Sequence, residues 1–211
     1  MGTALVAAGA GVASAADTVE TLPARQVRPG ATLQLFGAAG NGGAFGNGSA
    51  NGETYQWSFA ANPDVSVVTD GNTGGIVGND AFIAENVSFQ LLNGSTREIV
   101  RATLTVDDGA GGVTSREVAL DVVSGADEIS DTPLEALAVD VNIAIEDGLR
   151  AMYLTQRPDG RVQWKEGSNA AVQDCATTAF SLWAFANRGH GPLAGGIYAP
   201  TAQRAVNFIL T

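Results

Sequence analysis

Apolar and polar positions alternate through the first half of the chain, a period of two that predicts β-strands. Turns rich in Gly, Asn and Asp interrupt the alternation, which is typical of an antiparallel β-sandwich. The predicted strands cover 31–36, 55–59, 65–69, 81–92, 98–106 and 113–123. Tyr55, Trp57 and Phe59 share one face of their strand, and we expect that face to lie in the core of a domain spanning 17–124.

Two segments of this half lack an apolar period of their own. The Gly/Asn/Ser-rich tract from Gly37 to Gly52 predicts a flexible loop that projects from the sandwich. Residues 1–16 form an apolar run that ends in small residues, which is typical of an export signal, although the usual positive charges are missing. We therefore expect a secreted or cell-surface protein and leave open whether this arm is a cleaved signal peptide or is retained.

The period changes to about 3.6 residues after the acidic linker 125–132, which predicts a second, helical domain over 133–211. Pro133 within a capping box starts the first helix, and an apolar stripe from Leu134 to Met152 carries it to about Thr155. A second helix is predicted over 169–187, and a third opens at Pro200.

The second predicted helix carries small, hydroxyl and large apolar residues on every face. A helix of this kind is normally surrounded by protein. The other two helices cannot surround it, so we expect partners over 169–187: downstream helices of the same protein, other chains, or further copies in a homo-oligomer.

Composition narrows the function classes. The 211 residues include 11 basic and 22 acidic side chains, a formal net charge of -11, and Lys165 is the single lysine. The resulting field repels phosphate backbones, so no nucleic-acid partner is expected. Cys175 and His190 are also single, which excludes an internal disulfide and a zinc site built from Cys and His alone. His190 lies between two glycines and is expected to be an exposed loop residue rather than a member of a Ser-His-Asp triad.

Oxygen-bearing side chains cluster in two loops, at Asp70 and Asn72 and at Asp107 and Asp108. Hard oxygen ligands suit calcium, and a calcium-dependent glycan-binding module is one alternative. The same residue types are what tight turns require, and EF-hand spacing is missing. No other cofactor is expected.

The first half resembles the PKD-type immunoglobulin-like domains of surface proteins. The residues that carry the resemblance are Arg28-Pro29-Gly30, Tyr55 to Phe59, Ala81 to Ala84, and Ala102 to Gly109. Such domains are usually spacers or binding modules, so the resemblance implies a non-catalytic role for this half.

The second half resembles the α/α-toroid repeat of the squalene-cyclase and prenyltransferase-like group. The resemblance lies in Ala144 to Leu149, Gln156 to Gly160 followed by Trp164, Asp174 to Thr178, and Gly189-His190 leading to Tyr198 and Arg204–Leu210. In that group a Gln, a Gly four residues later and a Trp two beyond it form a clasp between helices. Gln156 and Gly160 fit this pattern, whereas Trp164 comes two residues late.

The same resemblance implies one candidate for chemistry. Cyclases of the group use a carboxylic acid to protonate an alkene or epoxide, and Asp174 beside Cys175 partly matches their acidic motif. The alternative is that Asp174 interacts with the helix dipole and a neighbouring turn. Asp174, Cys175 and His190 supply the residue types of a prenyltransferase zinc site but not its spacing.

These observations predict a multidomain all-β plus all-α protein: an Ig-like or PKD-like sandwich followed by a short toroid-like helical segment. The expected role is structural, in assembly (for example of a filament), or in adhesion. The alternative is a fragment of a toroid-type cyclase or lyase whose remaining helices lie beyond Thr211, with Asp174 as the acid.

Overall fold

A computed structural model describes residues 18–41, 44–45, 54–69, 76–77, 81–107, 111–125, 133–163 and 170–211. The predicted N-terminal arm and most of the acidic linker lie outside these ranges.

Within the described ranges, ten strands precede three helices. The strands are β1 Thr18–Thr21, β2 Arg25–Val27, β3 Leu33–Asn41, β4 Ala44–Phe45, β5 Thr54–Phe59, β6 Val65–Thr69, β7 Ile76–Val77, β8 Ala81–Leu91, β9 Arg97–Asp107 and β10 Val113–Val123. The helices are α1 Pro133–Thr155, α2 Ala170–Asn187 and α3 Ala199–Leu210.

The strands form two sheets. One has the order β1-β3-β8-β6, with β4 added to β3 and β7 to β8, and the other has the order β2-β10-β9-β5. Every pairing is antiparallel except that of β2 with β10, which is parallel. The prediction of purely antiparallel pairing is therefore wrong at this one place. The chain leaves β1 through the link 22–24, and this short link delivers β2 to the edge of the second sheet beside β10.

The predicted loop at 37–52 is also corrected in its first part. Gly37 lies within β3, and Ala44–Phe45 forms β4. A Cβ atom at Gly37 would lie 2.4 Å from Leu104 Cδ2 and 2.7 Å from the carbonyl oxygen of Glu20. A glycine is thus required at position 37 by the close approach of β1 and of Leu104 from the other sheet. The later part of the tract falls outside the described residues.

One buried cluster includes side chains of both sheets, of α1, of α2 and of the segment just before α3. Leu35, Phe89, Leu104 and Leu120 come from the sheets, and Leu149, Tyr153, Phe185 and Tyr198 come from the helical part. Trp57 is buried as predicted, while Tyr55 and Phe59 are half-buried and pack against the cluster. No helix in the described ranges is long and apolar enough to cross a membrane.

Candidate functional site

Gln156, just after α1, is the centre of a buried hydrogen-bond clasp. Its Nε2 donates to the carbonyl oxygens of Gly160, at 3.0 Å, and Thr201, at 2.9 Å. Its Oε1 accepts from Arg204 Nε at 3.1 Å. The amide therefore ties the end of α1 to the first turn of α3. The structure brings together the predicted pair Gln156 and Gly160, whereas Trp164 lies outside the described residues.

Gly160 allows that clasp to close. Its φ is +93°, in the left-handed region that favours glycine. A Cβ atom there would lie 2.0 Å from the carbonyl oxygen of Arg204. The turn itself is local, since the Gly160 N–H donates to the Arg157 carbonyl at 2.8 Å and Asp159 Oδ1 accepts from the Arg161 N–H at 3.2 Å. Pro-Asp-Gly is a typical sequence for such a turn.

Asp174 is fully buried in the second turn of α2 and faces the turn that follows α1. Its Oδ2 lies 3.5 Å from Nη1 of Arg161 in that turn. One helical turn further on, Thr178 Oγ1 accepts from the Val162 N–H at 2.9 Å. The contacts of Asp174 are thus those of a side chain that holds a neighbouring turn. Its Oδ1 is buried and has no hydrogen-bond partner among the described residues.

The two other candidates for a mixed metal site point elsewhere. Cys175 is exposed, while the adjacent Asp174 faces inward. His190 is half-buried and not an exposed loop residue, because its ring lies edge-on against Tyr198 at 5.1 Å. Gly189, with φ +81°, closes α2 and turns the chain so that the His190 N–H donates to the Phe185 carbonyl. Burial is the main cause that lowers the pKa of His190.

Asp107 is the one calcium candidate among the described residues. Asp107 is exposed at the end of β9, and Asp70, Asn72 and Asp108 lie outside the described residues. In the part of the chain that is described, no three His, Cys, Asp or Glu side chains are grouped closely enough to hold a metal ion.

An aromatic junction between the sheets and the helices is the feature that sequence reasoning missed. Phe36 of β3 stacks on Tyr153 of α1 with ring centroids 5.7 Å apart, and Tyr198 lies 5.5 Å from Tyr153 and 5.3 Å from Phe185. Burial raises the pKa of Tyr198, so its hydroxyl stays protonated. The guanidinium of Arg150 lies over the Phe36 ring at 5.7 Å, a cation–π contact.

Ion pairs reinforce this junction at its margin. Arg25 Nη2 lies 2.6 Å from Asp147 Oδ1, and Arg28 Nη2 lies 2.8 Å from Asp140 Oδ1. Both arginines flank or belong to β2, and both carboxylates lie on α1. The exposed carboxylates limit what each pair contributes to stability, but together the pairs fix how α1 lies along β2.

α2 has one uncovered apolar face, which we call the α2 face and define as Val172, Ala176, Ala179, Phe180 and Trp183. The three large members are 79%, 71% and 65% exposed, and the last four residues line a shallow groove. Their spacing places them on one stripe of the helix. The opposite side of α2 carries the buried Asp174, Thr178 and Phe185. Residues of this chain thus cover one side of α2, and the predicted covering by other helices or chains stays a prediction.

Comparisons with known proteins give no family. No protein-family profile and no curated protein matches the chain. Among solved structures, the chain is similar to the C-terminal domain of the AgI/II polypeptide BspA of Streptococcus agalactiae, with 11% identity, a TM-score of 0.28, and coverage of 50% of this chain and 49% of that one. A second structure, titled BspA_C_WT, has 13% identity, a TM-score of 0.27 and the same coverage. The chain spans about half the length of these structures, and likeness at such TM-scores carries no argument about fold or function.

Proposed function

We propose that this chain is a non-catalytic module of a secreted or cell-surface protein, with a structural, assembly or adhesive role. The observation that carries the proposal is the α2 face. A soluble chain rarely leaves several neighbouring large apolar side chains uncovered unless the surface meets a partner.

The chemistry of the α2 face indicates what covers it. Between Val172 and Trp183 the single charged side chain is Asp174, which is buried on the other side. A partner therefore meets an uncharged, helical stripe, and an apolar stripe of another helix matches it best. Full burial of each large side chain contributes about 1.5–3 kcal/mol, so three of them can drive association.

A second stripe supports the same proposal. Leu137, Val141 and Ile145 repeat every four residues along α1 and are all more than a third exposed. The apolar stripe predicted for α1 is thus buried at its C-terminal end, at Leu149, and uncovered towards its start. Further helices of the same protein or of other chains, as in an α/α-toroid, would cover both stripes.

The resemblances of the sequence to PKD-type domains and to the α/α-toroid repeat form part of this proposal. Two sheets that share one buried cluster support a PKD-like sandwich as the spacer. The Gln156–Gly160 clasp supports a toroid-like repeat as the docking part.

The assembly role predicts that the 211-residue chain self-associates through the α2 face at micromolar concentrations. The double variant Phe180→Gln, Trp183→Gln is expected to weaken association at least tenfold, because it removes most of the exposed apolar area of the face. Sedimentation velocity over a concentration series measures this.

The matched control is Ile99→Thr, Val113→Thr, which removes exposed apolar side chains from the sheet that carries β9 and β10. It should leave association unchanged. A wild-type chain that stays monomeric throughout, or a control that weakens association as much, would contradict the proposal.

A second candidate function rests on Asp174, whose buried Oδ1 lacks a hydrogen-bond partner among the described residues. If Asp174 were the catalytic acid of a toroid-type cyclase or lyase, its burial would lower the stability of the folded chain. The contacts with Arg161 favour the structural role instead.

The two roles of Asp174 predict opposite changes in stability. For a structural pair, Asp174→Asn and Arg161→Gln should each lower the free energy of unfolding, and the double variant should lower it by about 0.5–1 kcal/mol less than the sum. Chemical denaturation of the four proteins in this double-mutant cycle measures that coupling. If Asp174→Asn raises the stability of the chain, the acid is retained for another purpose and the structural role fails.

A further inference from the structure

A cleft of about 580 Å³ lies between the second sheet and the helical part. Arg25, Gln26 and Asp121 line its strand side, and α1 together with the end of α2 lines the other side. This volume falls within the range of sites that hold small molecules. Among the described residues singled out as chemical candidates, His190 alone lines it.

The charges in the cleft are balanced and already paired. Its lining includes two arginines and two carboxylates, each of which has an ionic partner. The partners are Asp147 for Arg25 at 2.6 Å, Glu146 for Arg188 at 3.1 Å, and Arg97 for Asp121 at 2.8 Å. A phosphate or carboxylate ligand would have to compete with Asp147 or Glu146 for an arginine, and a cationic ligand would have to compete with an arginine for a carboxylate. The lining therefore disfavours charged ligands, although the protein as a whole is strongly acidic.

Hydrogen-bonding capacity remains after these pairs form. Carboxylates and guanidinium groups each offer more sites than one partner uses. The side chains of Asn187 and His190 make no hydrogen bond within the described ranges, and both line the cleft. Burial lowers the pKa of His190 below its ordinary value, which favours the neutral imidazole, and that form offers one donor and one acceptor. The cleft thus presents both hydrogen-bond donors and hydrogen-bond acceptors.

Gln26 and Asn142 also line the cleft and are hydrogen-bonded to each other, and the apolar part of the lining comes from Pro23, Ala24 and Ala119. A ligand that satisfies the whole surface must be uncharged, must both donate and accept hydrogen bonds at several points, and must carry an apolar C–H face. Hydroxyl groups on a sugar ring meet these conditions.

We propose that the cleft between β2, β10, α1 and the end of α2 binds a short, uncharged oligosaccharide. Asp107 does not line this site, and the proposed binding needs no calcium. It is also independent of the α2 face, so either proposal can fail without the other.

The test is a nuclear magnetic resonance titration of the isotope-labelled 211-residue chain with maltose, cellobiose and N,N′-diacetylchitobiose in turn. At least one disaccharide is expected to bind with a dissociation constant of about 1 mM, a typical value for small polar ligands, and to shift the Asn187 amide and the His190 ring. Asn187→Ala, which breaks no hydrogen bond among the described residues, should weaken binding about fivefold. Asn207→Ala, an exposed asparagine on α3, is the matched control and should leave it unchanged.

Three outcomes would overturn the proposal. The first is the failure of all three disaccharides to shift Asn187 or His190. The second is tighter binding at these residues of inorganic phosphate or of a short uncharged peptide than of any disaccharide. The third is an Asn187→Ala variant that binds as tightly as the wild type.

Discussion

Replacement of Phe36 by alanine is expected to lower the free energy of unfolding of the whole chain by about 3–5 kcal/mol. Phe36 belongs to β3, yet its ring stacks on Tyr153 of α1 and lies 6.1 Å from Tyr198. The variant removes a fully buried ring at the place where sheets and helices meet. Chemical denaturation followed by circular dichroism and by tryptophan fluorescence should show both signals shifting together.

Phe59→Ala is the matched control, because Phe59 is half-buried and its ring partner is Phe89 within the sheets, at 6.1 Å. It should cost less and should act on the sheets first. If Phe36→Ala shifts the unfolding transition of the strands and leaves the transition of the helices, followed by circular dichroism, unchanged, the sheets and helices unfold separately. The junction then does not couple them.

Replacement of Gly160 by alanine is expected to lower the free energy of unfolding by about 3 kcal/mol or more. Two costs add: the left-handed φ of +93°, and the overlap of the new Cβ with the Arg204 carbonyl oxygen 2.0 Å away. That oxygen is backbone, so relief requires α3 to move away from the turn and Gln156 to lose hydrogen bonds. Thermal and chemical denaturation measure the loss.

Gly189→Ala separates the two costs. Its φ is +81°, but nothing lies within 4 Å of a Cβ built there. The control should therefore lose only about 1 kcal/mol for the backbone conformation. Equal losses at the two glycines would show that the close approach of α3 contributes nothing.

Elements with a clear local pattern were predictable from the sequence. β6 and β10 have the predicted bounds, and α1 begins at Pro133 and ends at Thr155 as its capping box and apolar stripe indicate. In each case several consecutive residues carry the signal. The turn that brings Gly160 back to Gln156 is also local, because Gly160 N–H donates to the Arg157 carbonyl within it.

The remaining features depend on contacts between distant parts of the chain. β2 has three residues, too few to show a period, and its parallel partner β10 follows it by more than 80 positions. Phe36 and Tyr153 are also far apart in the chain, and each side chain fits its own strand or helix pattern. Gly37 resembled a loop residue because it lies in a Gly-rich tract. The contact with Leu104 of the other sheet, which requires a glycine there, does not show in the local sequence. No local pattern contains these constraints.

The parallel pair β2–β10 also determines how the chain would respond to mechanical tension. Arg25 and Arg28 tie β2 to α1, while β10 leads towards α1 along the chain. Because the two strands run in the same direction, a force that pulls β2 backwards and β10 forwards acts along both strand axes. Their hydrogen bonds would then have to break together rather than one after another. The β2–β10 pair is therefore loaded in shear when the chain is pulled in these directions.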